Sequence, residues 1–490
     1  MVDATRTLAA QWTRTTEDGK KDTITGTLVI SPDNPTHLIH LTRDFASDED
    51  SIEGFLTGQS EVDVYPVLHG QTEDGLYTAI DSRVVRSSRN FGSSKLSDIV
   101  LQPSFVIKGN VTLNEHELAV TDVTLRFWDQ DAWAQWFNLR LKNGTPEDRT
   151  VYIEQVPPPS HSLKLDGVEV SIRDASQTSY FPLNHGKISI DQTSVFDLKF
   201  DDEVPLKDFL SNWMAPLSFW VSSGTRRTSG IEVMSIQNRN WTMDGDGSPV
   251  TSWLTVVPRN PKRKFSETDE ILFLHKLRDF DFARQLPIVI ETFAKHRPAI
   301  EQYLDYIHNR PGTPMVRLTV LAQLVETFDR SLDPDPALTE QVIADAKAVA
   351  AVVASEAALN KYVLDAKRAV MESVRPTLAN RLKRLDVATG KIVSELVGEG
   401  VDWKGSIAAI RNAIVHGLPS SLFFLTNVIP IQISVDILEV LFELRLLVAL
   451  GFTPDEVKKI VKEDDFSWFG RTHHVRTYLG SFDNFKNQSA

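Results

Sequence analysis

About halfway along the chain, the spacing of apolar residues changes from that of β-strands to that of α-helices. Before residue 257, short segments rich in valine, isoleucine, threonine and aromatic residues alternate in polarity between clusters of turn-forming residues. After residue 270, apolar residues recur every three or four positions. The sequence therefore predicts a β-rich domain followed by a helical domain, and 490 residues are enough for two such cores.

The strands predicted in the first half are short and separated by turns, which is typical of antiparallel sheets. They cover residues 25–31, 36–41, 62–67, 106–113, 118–127, 151–154, 168–172, 187–190 and 195–200. We expect a sandwich or an irregular barrel over residues 1–260, with a division into two lobes at the prolines near residues 156–160.

The second half, residues 261–490, is predicted to be an all-α bundle. Its helices are expected at residues 270–286, 288–308, 316–330, 339–374 (an alanine-rich pair), 378–397, 403–416, 431–450 and 454–463. Pro287 is expected to break the first helical pattern in two, because proline lacks the N–H of a helix interior.

The chain has no cysteine, which excludes disulfides, thiolate zinc sites, iron–sulfur clusters and cysteine nucleophiles. The N-terminus lacks the apolar run of a signal peptide, and the most apolar stretch, residues 421–450, is interrupted by Pro430 and by charged residues such as Asp436. We expect a cytoplasmic protein without a membrane anchor, in which residues 431–450 form a core helix.

The formal net charge is −14, so the whole chain is not expected to attract nucleic acid. Local basic clusters at residues 226–227, 261–264 and 381–384 can still line the path of an anionic substrate. Solvated surface is the more ordinary role of such clusters.

Several familiar enzyme classes are excluded by their missing motifs. Gly390-Lys391 is followed by isoleucine and lacks the upstream glycine of a phosphate-binding loop. His116-Glu117 has Val120 where a zinc protease needs its second histidine, and there is no Gly-x-Ser-x-Gly elbow. We expect no bound metal and no cofactor.

The most informative segment runs from Trp403 to Gly417 and contains Arg411, Asn412 and His416. Its apolar residues have helical spacing, and Gly417 provides a stop signal. Asn412 and His416 are one turn apart at the predicted helix end, with Arg411 beside them. The three side chains can therefore converge on one small anion.

These groups suit the cleavage of RNA by its own 2′-hydroxyl. An imidazole can take the proton of the attacking hydroxyl or give one to the leaving 5′-oxygen, and a guanidinium matches the phosphate oxygens. The alternative is structural: His416 stabilises the helix end, and Arg411 pairs with a surface carboxylate.

Arg411-Asn412-x-x-x-His416 resembles the Arg-x-x-x-x-His signature of HEPN ribonucleases, and the segment 318–326 resembles the preceding HEPN helix that carries a polar residue, here Glu326, into the site. The first half resembles the β-rich N-terminal domain of ApeA-type anti-phage proteins. The similar segments are Gly26-Thr-Leu, Leu38-Ile-His-Leu41, Ile52-Glu-Gly54, residues 105–110 and residues 133–137. Residues past Glu463 match nothing in that family.

The resemblance implies a metal-independent endoribonuclease of anti-phage defence that arrests growth by cutting RNA, with tRNA as one candidate. It also implies a homodimer formed through the HEPN domain and a phage-derived trigger at the N-terminal domain. Candidate exposed tryptophans for that trigger, or for stacking on bases, are Trp128, Trp133 and Trp136, although packing in the core or at its rim is the more usual role of tryptophans near strand ends. The alternative is a non-catalytic HEPN scaffold that binds RNA or a nucleotide.

Overall fold

The computed structural model describes most of both halves of the chain. The described residues are 5–15, 20–31, 37–42, 45, 64–88, 98–111, 113, 118–134, 139–143, 151–155, 160–175, 177–181, 187–191, 193–242, 248–257, 274–279, 281–334, 340–355, 359, 362–363, 366, 370, 375–398, 400–417, 427–463 and 475. The chain forms two compact units. The first contains Met1–Thr225, Ser229–Ile271 and Lys276–Pro287. The second contains Arg226–Thr228, Leu272–His275 and Ile288–Ala490. The boundary predicted between residues 260 and 261 lies outside the described residues, as do residues 156–159 of the predicted lobe division, and both stay predictions.

A closed six-stranded antiparallel barrel forms the first part of the β-rich unit. Its strands are β1 (Arg6–Thr15), β2 (Lys21–Ile30), β3 (Leu38–Leu41), β4 (Val64–Thr72), β5 (Gly75–Ser88) and β6 (Asp98–Gln102). They pair in the order β5-β4-β1-β2-β3-β6, and β6 pairs again with β5, which closes the barrel. Alternate side chains, including Trp12, Leu28, Ile39 and Leu68, are completely buried, as the two-residue period of a strand requires.

The same sheet continues beyond the barrel because β5 also pairs with β7. The further strands are β7 (Phe105–Gly109), β8 (Ala119–Phe127), β9 (Leu139–Asn143), β10 (Val151–Gln155), β11 (His161–Leu165), β12 (Val168–Asp174), β13 (Gln177–Phe181), β14 (Lys187–Asp191), β15 (Ser194–Pro205), β16 (Ile231–Gln237) and β17 (Leu254–Val257). The order is β7-β17-β16-β8-β15-β12-β11, while β9–β10 and β13–β14 form separate two-stranded pairs. The predicted β-rich class is confirmed, as a barrel with additional strands.

Helices that the sequence analysis did not predict lie within this unit. They are α1 (Gln130–Ala134), α2 (Leu206–Phe209), a π-helical turn at Leu210–Met214, and α3 (Ala215–Thr225). Almost every residue of α3 is buried, so its apolar residues have no helical periodicity to reveal it.

Trp133 has the packing role, and the exposed role considered for it is wrong. Its ring is fully buried against Trp220 of α3, with ring centroids 5.2 Å apart, and against Phe196. Trp128 is half-buried, and Trp136 lies outside the described residues. Trp133 is therefore a core residue and cannot stack on bases.

The second unit is a helical bundle around one central apolar helix. Its helices are α4 (Phe282–Asn309), of which the residues up to Pro287 belong to the first unit, α5 (Pro314–Leu332), α6 (Glu340–Ser355), α7 (Leu378–Ala388), α8 (Ile392–Val397), α9 (Trp403–Val415), α10 (Ile429–Ala449) and α11 (Pro454–Glu463). Helix α10 contacts α5, α7, α8, α9 and α11, and most of its side chains are buried. The predicted core helix at residues 431–450 is therefore confirmed. Within the described ranges, no helix combines the length and the apolarity needed to cross a bilayer.

Two predicted helix boundaries are wrong. Pro287 does not break the helix: α4 runs through it for 28 residues, and its only non-helical residue is His296, at φ −112° and ψ 17°. This kink lies two residues before Pro298, whose ring conflicts with a carbonyl of the preceding turn. The single helix predicted over residues 378–397 is divided into α7 and α8, because Gly390 and Lys391 adopt positive φ angles of 73° and 61°.

Candidate active site

The helix that carries the Arg-Asn-His group is fixed at both ends. At its start, the side chain of Asp402 accepts a hydrogen bond from the backbone N–H of Gly405 at 3.0 Å. At its end, the N–H of His416 donates to the carbonyl of Asn412 at 3.0 Å, and Gly417 turns the chain at φ +59°. Helix α9 therefore ends where the sequence predicts, with His416 as its C-terminal cap.

Arg411, Asn412 and His416 lie outside the buried face of α9. Its buried residues are Trp403, Ser406, Ile407, Ile410 and Ala413. Asn412 and His416 are exposed, whereas Arg411 is only 27 % exposed. All three lie at the C-terminal end of the helix, where none of their side chains is fully buried.

Arg411 has few partners for its five N–H donors. Its Nη1 donates to Oδ1 of Asn412 at 3.2 Å, and its buried Nε has no acceptor among the described residues. The imidazole of His416 likewise makes no hydrogen bond to a described residue. The structure thus joins Arg411 to Asn412, while His416 shares their helix end without a hydrogen bond to either side chain.

Glu326 of α5 completes the cluster. Its Oε1 lies 3.9 Å from Nη2 of Arg411, and its Oε2 accepts a hydrogen bond of 3.3 Å from Nη2 of Arg330. The carboxylate is 17 % exposed. Because α5 packs against α9, the candidate taken from the earlier helix does lie beside the candidate arginine.

Buried ion pairs that the sequence analysis missed hold these helices together. Asp329 of α5 pairs with Arg381 of α7 at 2.8 Å and also with Arg384. Lys404 of α9 pairs with Asp386 of α7 at 2.9 Å. The position of Asp329 in the sequence could have indicated such a pair. Asp329 lies on the apolar stripe of α5 with Leu321, Val325 and Phe328, and a buried charge needs a partner of opposite charge.

Two of the basic clusters considered for an RNA path each contain an arginine whose side chain is buried, although Lys383 in the second of them is exposed. The side chain of Arg381 is 2 % exposed, and Arg226 is 7 % exposed in its pair with Glu443. The cluster at residues 261–264 lies outside the described residues. In the part of the chain that is described, no group of three histidine, aspartate or glutamate residues lies close enough together to hold a metal ion.

Comparison with protein families assigns both halves of the chain. The family model named ApeA N-terminal domain 1 matches residues 10–218, and the model named Apea-like HEPN matches residues 320–456, which include Glu326, Arg411 and His416. HEPN domains are commonly nucleases, and they typically act on RNA and form dimers. Searches of curated proteins and of solved structures gave no match. With an ApeA N-terminal domain joined to an Apea-like HEPN domain, the chain belongs to the ApeA-type HEPN proteins of anti-phage defence.

Proposed function

We propose that this protein is a metal-independent endoribonuclease in which Arg411, Asn412 and His416 act on one phosphodiester. The observation that carries the proposal is the state of Arg411: a half-buried guanidinium with unused donors, bonded to the exposed amide of Asn412 and on the same helix end as the exposed imidazole of His416, inside the matched HEPN region. A guanidinium held in this way is ready to bind a phosphate rather than to stabilise the fold.

The reaction needs no nucleophile from the protein. The ribose 2′-oxygen forms a bond to phosphorus while the bond from phosphorus to the 5′-oxygen breaks. His416 accepts the 2′-hydroxyl proton when neutral, or donates a proton to the departing 5′-oxygen when charged. Arg411 stabilises the charge that accumulates on the non-bridging oxygens, and Asn412 orients the guanidinium through its 3.2 Å hydrogen bond. The products carry a 2′,3′-cyclic phosphate and a 5′-hydroxyl.

Glu326 serves as a positioning residue in this scheme. At 3.9 Å its carboxylate attracts the guanidinium of Arg411 without forming a hydrogen bond that a phosphate would have to break. Arg411 is therefore oriented before the substrate arrives, and most of its donors stay available.

We further propose that the protein acts in the cytoplasm as a homodimer joined through its HEPN domains, as is typical of such domains. The ApeA N-terminal domain would respond to a phage-derived trigger. Cleavage of RNA, with tRNA as one candidate, would then stop growth before the phage multiplies.

The test is cleavage of labelled RNA by the full chain in buffer containing EDTA. We expect cleavage by the wild-type protein and its loss in Arg411→Ala. Arg297→Ala is the matched control, because Arg297 is also an arginine on a helix surface, 45 % exposed, but lies on α4 outside the cluster. Binding of RNA without any cleavage by the wild-type protein would favour the non-catalytic scaffold instead.

A further inference from the structure

Two arginines share the carboxylate of Glu326. Nη2 of Arg411 lies nearest to Oε1, and Nη2 of Arg330 donates to Oε2, at 3.9 and 3.3 Å. Because the two guanidinium groups contact different oxygens of one carboxylate, they are neighbours on the bundle while belonging to different helices, α9 and α5.

The cluster brings two cations together on a chain of negative net charge. The guanidinium groups of Arg411 and Arg330 both lie beside the carboxylate of Glu326, while the chain as a whole carries −14. RNA approaching such a protein is repelled by most of its surface and is attracted only where cations are concentrated. A site for RNA on this chain therefore depends on every cation near Arg411.

The two arginines differ in exposure. The side chain of Arg411 is 27 % exposed, whereas that of Arg330 is 49 % exposed. A deeper guanidinium suits the phosphate that reacts, and a more open one suits a phosphate that only has to be held.

We propose that Arg330 binds the RNA phosphate next to the one held by Arg411, so that Glu326 spaces a pair of phosphate-binding arginines. This inference rests on the proposed ribonuclease function. Arg330 takes no part in bond breaking. It fixes the position of the strand along the site, so that the reacting phosphodiester reaches Arg411 and His416.

The competing explanation is that Arg330 and Glu326 form an ordinary surface ion pair one helical turn apart. The bundle provides a matched example in α4, where Arg297 pairs with Glu301 at 2.7 Å and is 45 % exposed. Replacing either arginine removes the same charge, from a side chain of similar exposure, in a pair one helical turn apart. Only Arg330 lies beside Arg411, so Arg297→Ala separates the local effect from the general effect of one lost charge.

The experiment measures RNA binding by full-length His416→Ala protein, in which cleavage is expected to be blocked, at several salt concentrations. The probe is a labelled single-stranded RNA of mixed sequence. Four further proteins carry a second change beside His416→Ala: Arg330→Ala, Arg411→Ala, both of these together, or Arg297→Ala. Each phosphate contact with single-stranded nucleic acid contributes about 0.7 to the slope of log Kd against log salt.

We expect Arg330→Ala and Arg411→Ala each to lower the slope by about 0.7, and the double variant to lower it by about 1.4. The ratio of the Arg330→Ala to the parent Kd should accordingly shrink about 2.6-fold between ~50 and ~200 mM salt. Arg297→Ala should leave the slope unchanged.

An unchanged slope in Arg330→Ala, or a double variant no different from Arg411→Ala alone, overturns the inference while leaving the ribonuclease proposal intact. Absence of RNA binding by the His416→Ala parent, together with absence of cleavage by the wild-type protein, overturns both.

Discussion

Asp329 on α5 and Arg381 on α7 form an ion pair of 2.8 Å in which the side chains are only 3 % and 2 % exposed. Asp329 lies one helical turn after Glu326, so the pair fixes the part of α5 that faces Arg411. A buried pair of this kind contributes little compared with apolar residues, but losing one partner leaves a charge without compensation. The position of Glu326 beside Arg411 therefore depends on the buried ion pair between Asp329 and Arg381.

Asp329→Ala should be strongly destabilising, because it leaves Arg381 buried without this carboxylate. We expect a loss of about 3–5 kcal/mol in the free energy of unfolding. Urea denaturation followed by the helical circular dichroism signal measures it. Glu301→Ala, which breaks the exposed pair with Arg297, should cost less than about 1 kcal/mol. Similar losses in both variants would show that the buried pair matters no more for the free energy of unfolding than the exposed pair does.

Acid should weaken the helical unit through His296. Burial, with Lys295 and Arg445 nearby, lowers the pKa of this imidazole to about 4, whereas the unfolded chain has the ordinary value of 6.5. Between these values the unfolded state binds the proton and the folded state does not, so stability falls as the pH falls. The slope is at most about 1.4 kcal/mol per pH unit for one histidine.

His296→Asn tests this pH dependence, because an amide can still donate to Ser331, whose Oγ lies 2.7 Å from the imidazole Nδ1. The variant should lose less stability than the wild type between pH 6.5 and pH 4. His275, whose buried pKa is lowered to about 3, accounts for part of the remaining loss. Parallel stability curves for the two proteins would exclude His296 as a cause.

Gly70→Ala should destabilise the barrel. A Cβ at Gly70 would lie 2.8 Å from two atoms of the Trp12 ring, which is completely buried and has no room to move. Overpacking of this kind costs about 1–3 kcal/mol. Thermal unfolding followed by tryptophan fluorescence measures the effect. Gly312→Ala is the control, since a Cβ there meets nothing within 4 Å, and a loss as large as that of Gly70→Ala would contradict the packing explanation.

Glu326→Gln should lower kcat without raising KM. The amide has nearly the shape of the carboxylate but no longer attracts Arg411, whose orientation becomes looser, while the loss of a negative charge favours the RNA phosphates. Steady-state kinetics on an RNA oligonucleotide separates the two constants. Glu301→Gln removes a carboxylate that also pairs with an arginine one helical turn away but lies outside the cluster, and it should change neither constant. A rise in KM at constant kcat would show that Glu326 helps to bind RNA rather than to position Arg411.

Local patterns in the sequence predict the elements with regular periodicity. The amphipathic segments that became α5, α9 and α11 lie close to their expected positions, and the end of α9 at His416 followed from Gly417. Barrel closure was not predictable in this way, because the pairing of β5 with β6 joins strands whose register depends on the whole sheet. Helix α3 was missed because burial on all sides leaves no polar face.

The candidate site shows the same division. Arg411, Asn412 and His416 are close in sequence, so their common helix end could be predicted from spacing alone. The proximity of Glu326 was suggested by the family resemblance, and its sharing by Arg330 became visible only in the packed bundle. Spacing alone could not decide between surface and core for Trp133 and Arg381, because the partners that bury them come from distant segments.

If His416 takes part in RNA cleavage by 2′-hydroxyl attack, its replacement must abolish the characteristic products. RNA ends are sequenced after expression of the wild-type protein, of His416→Ala and of His308→Ala, whose replaced histidine is also exposed but lies in the last turn of α4. We expect new 2′,3′-cyclic phosphate ends with the wild type and His308→Ala, and none with His416→Ala. New ends of the same kind and abundance with His416→Ala would show that His416 has no part in the cleavage.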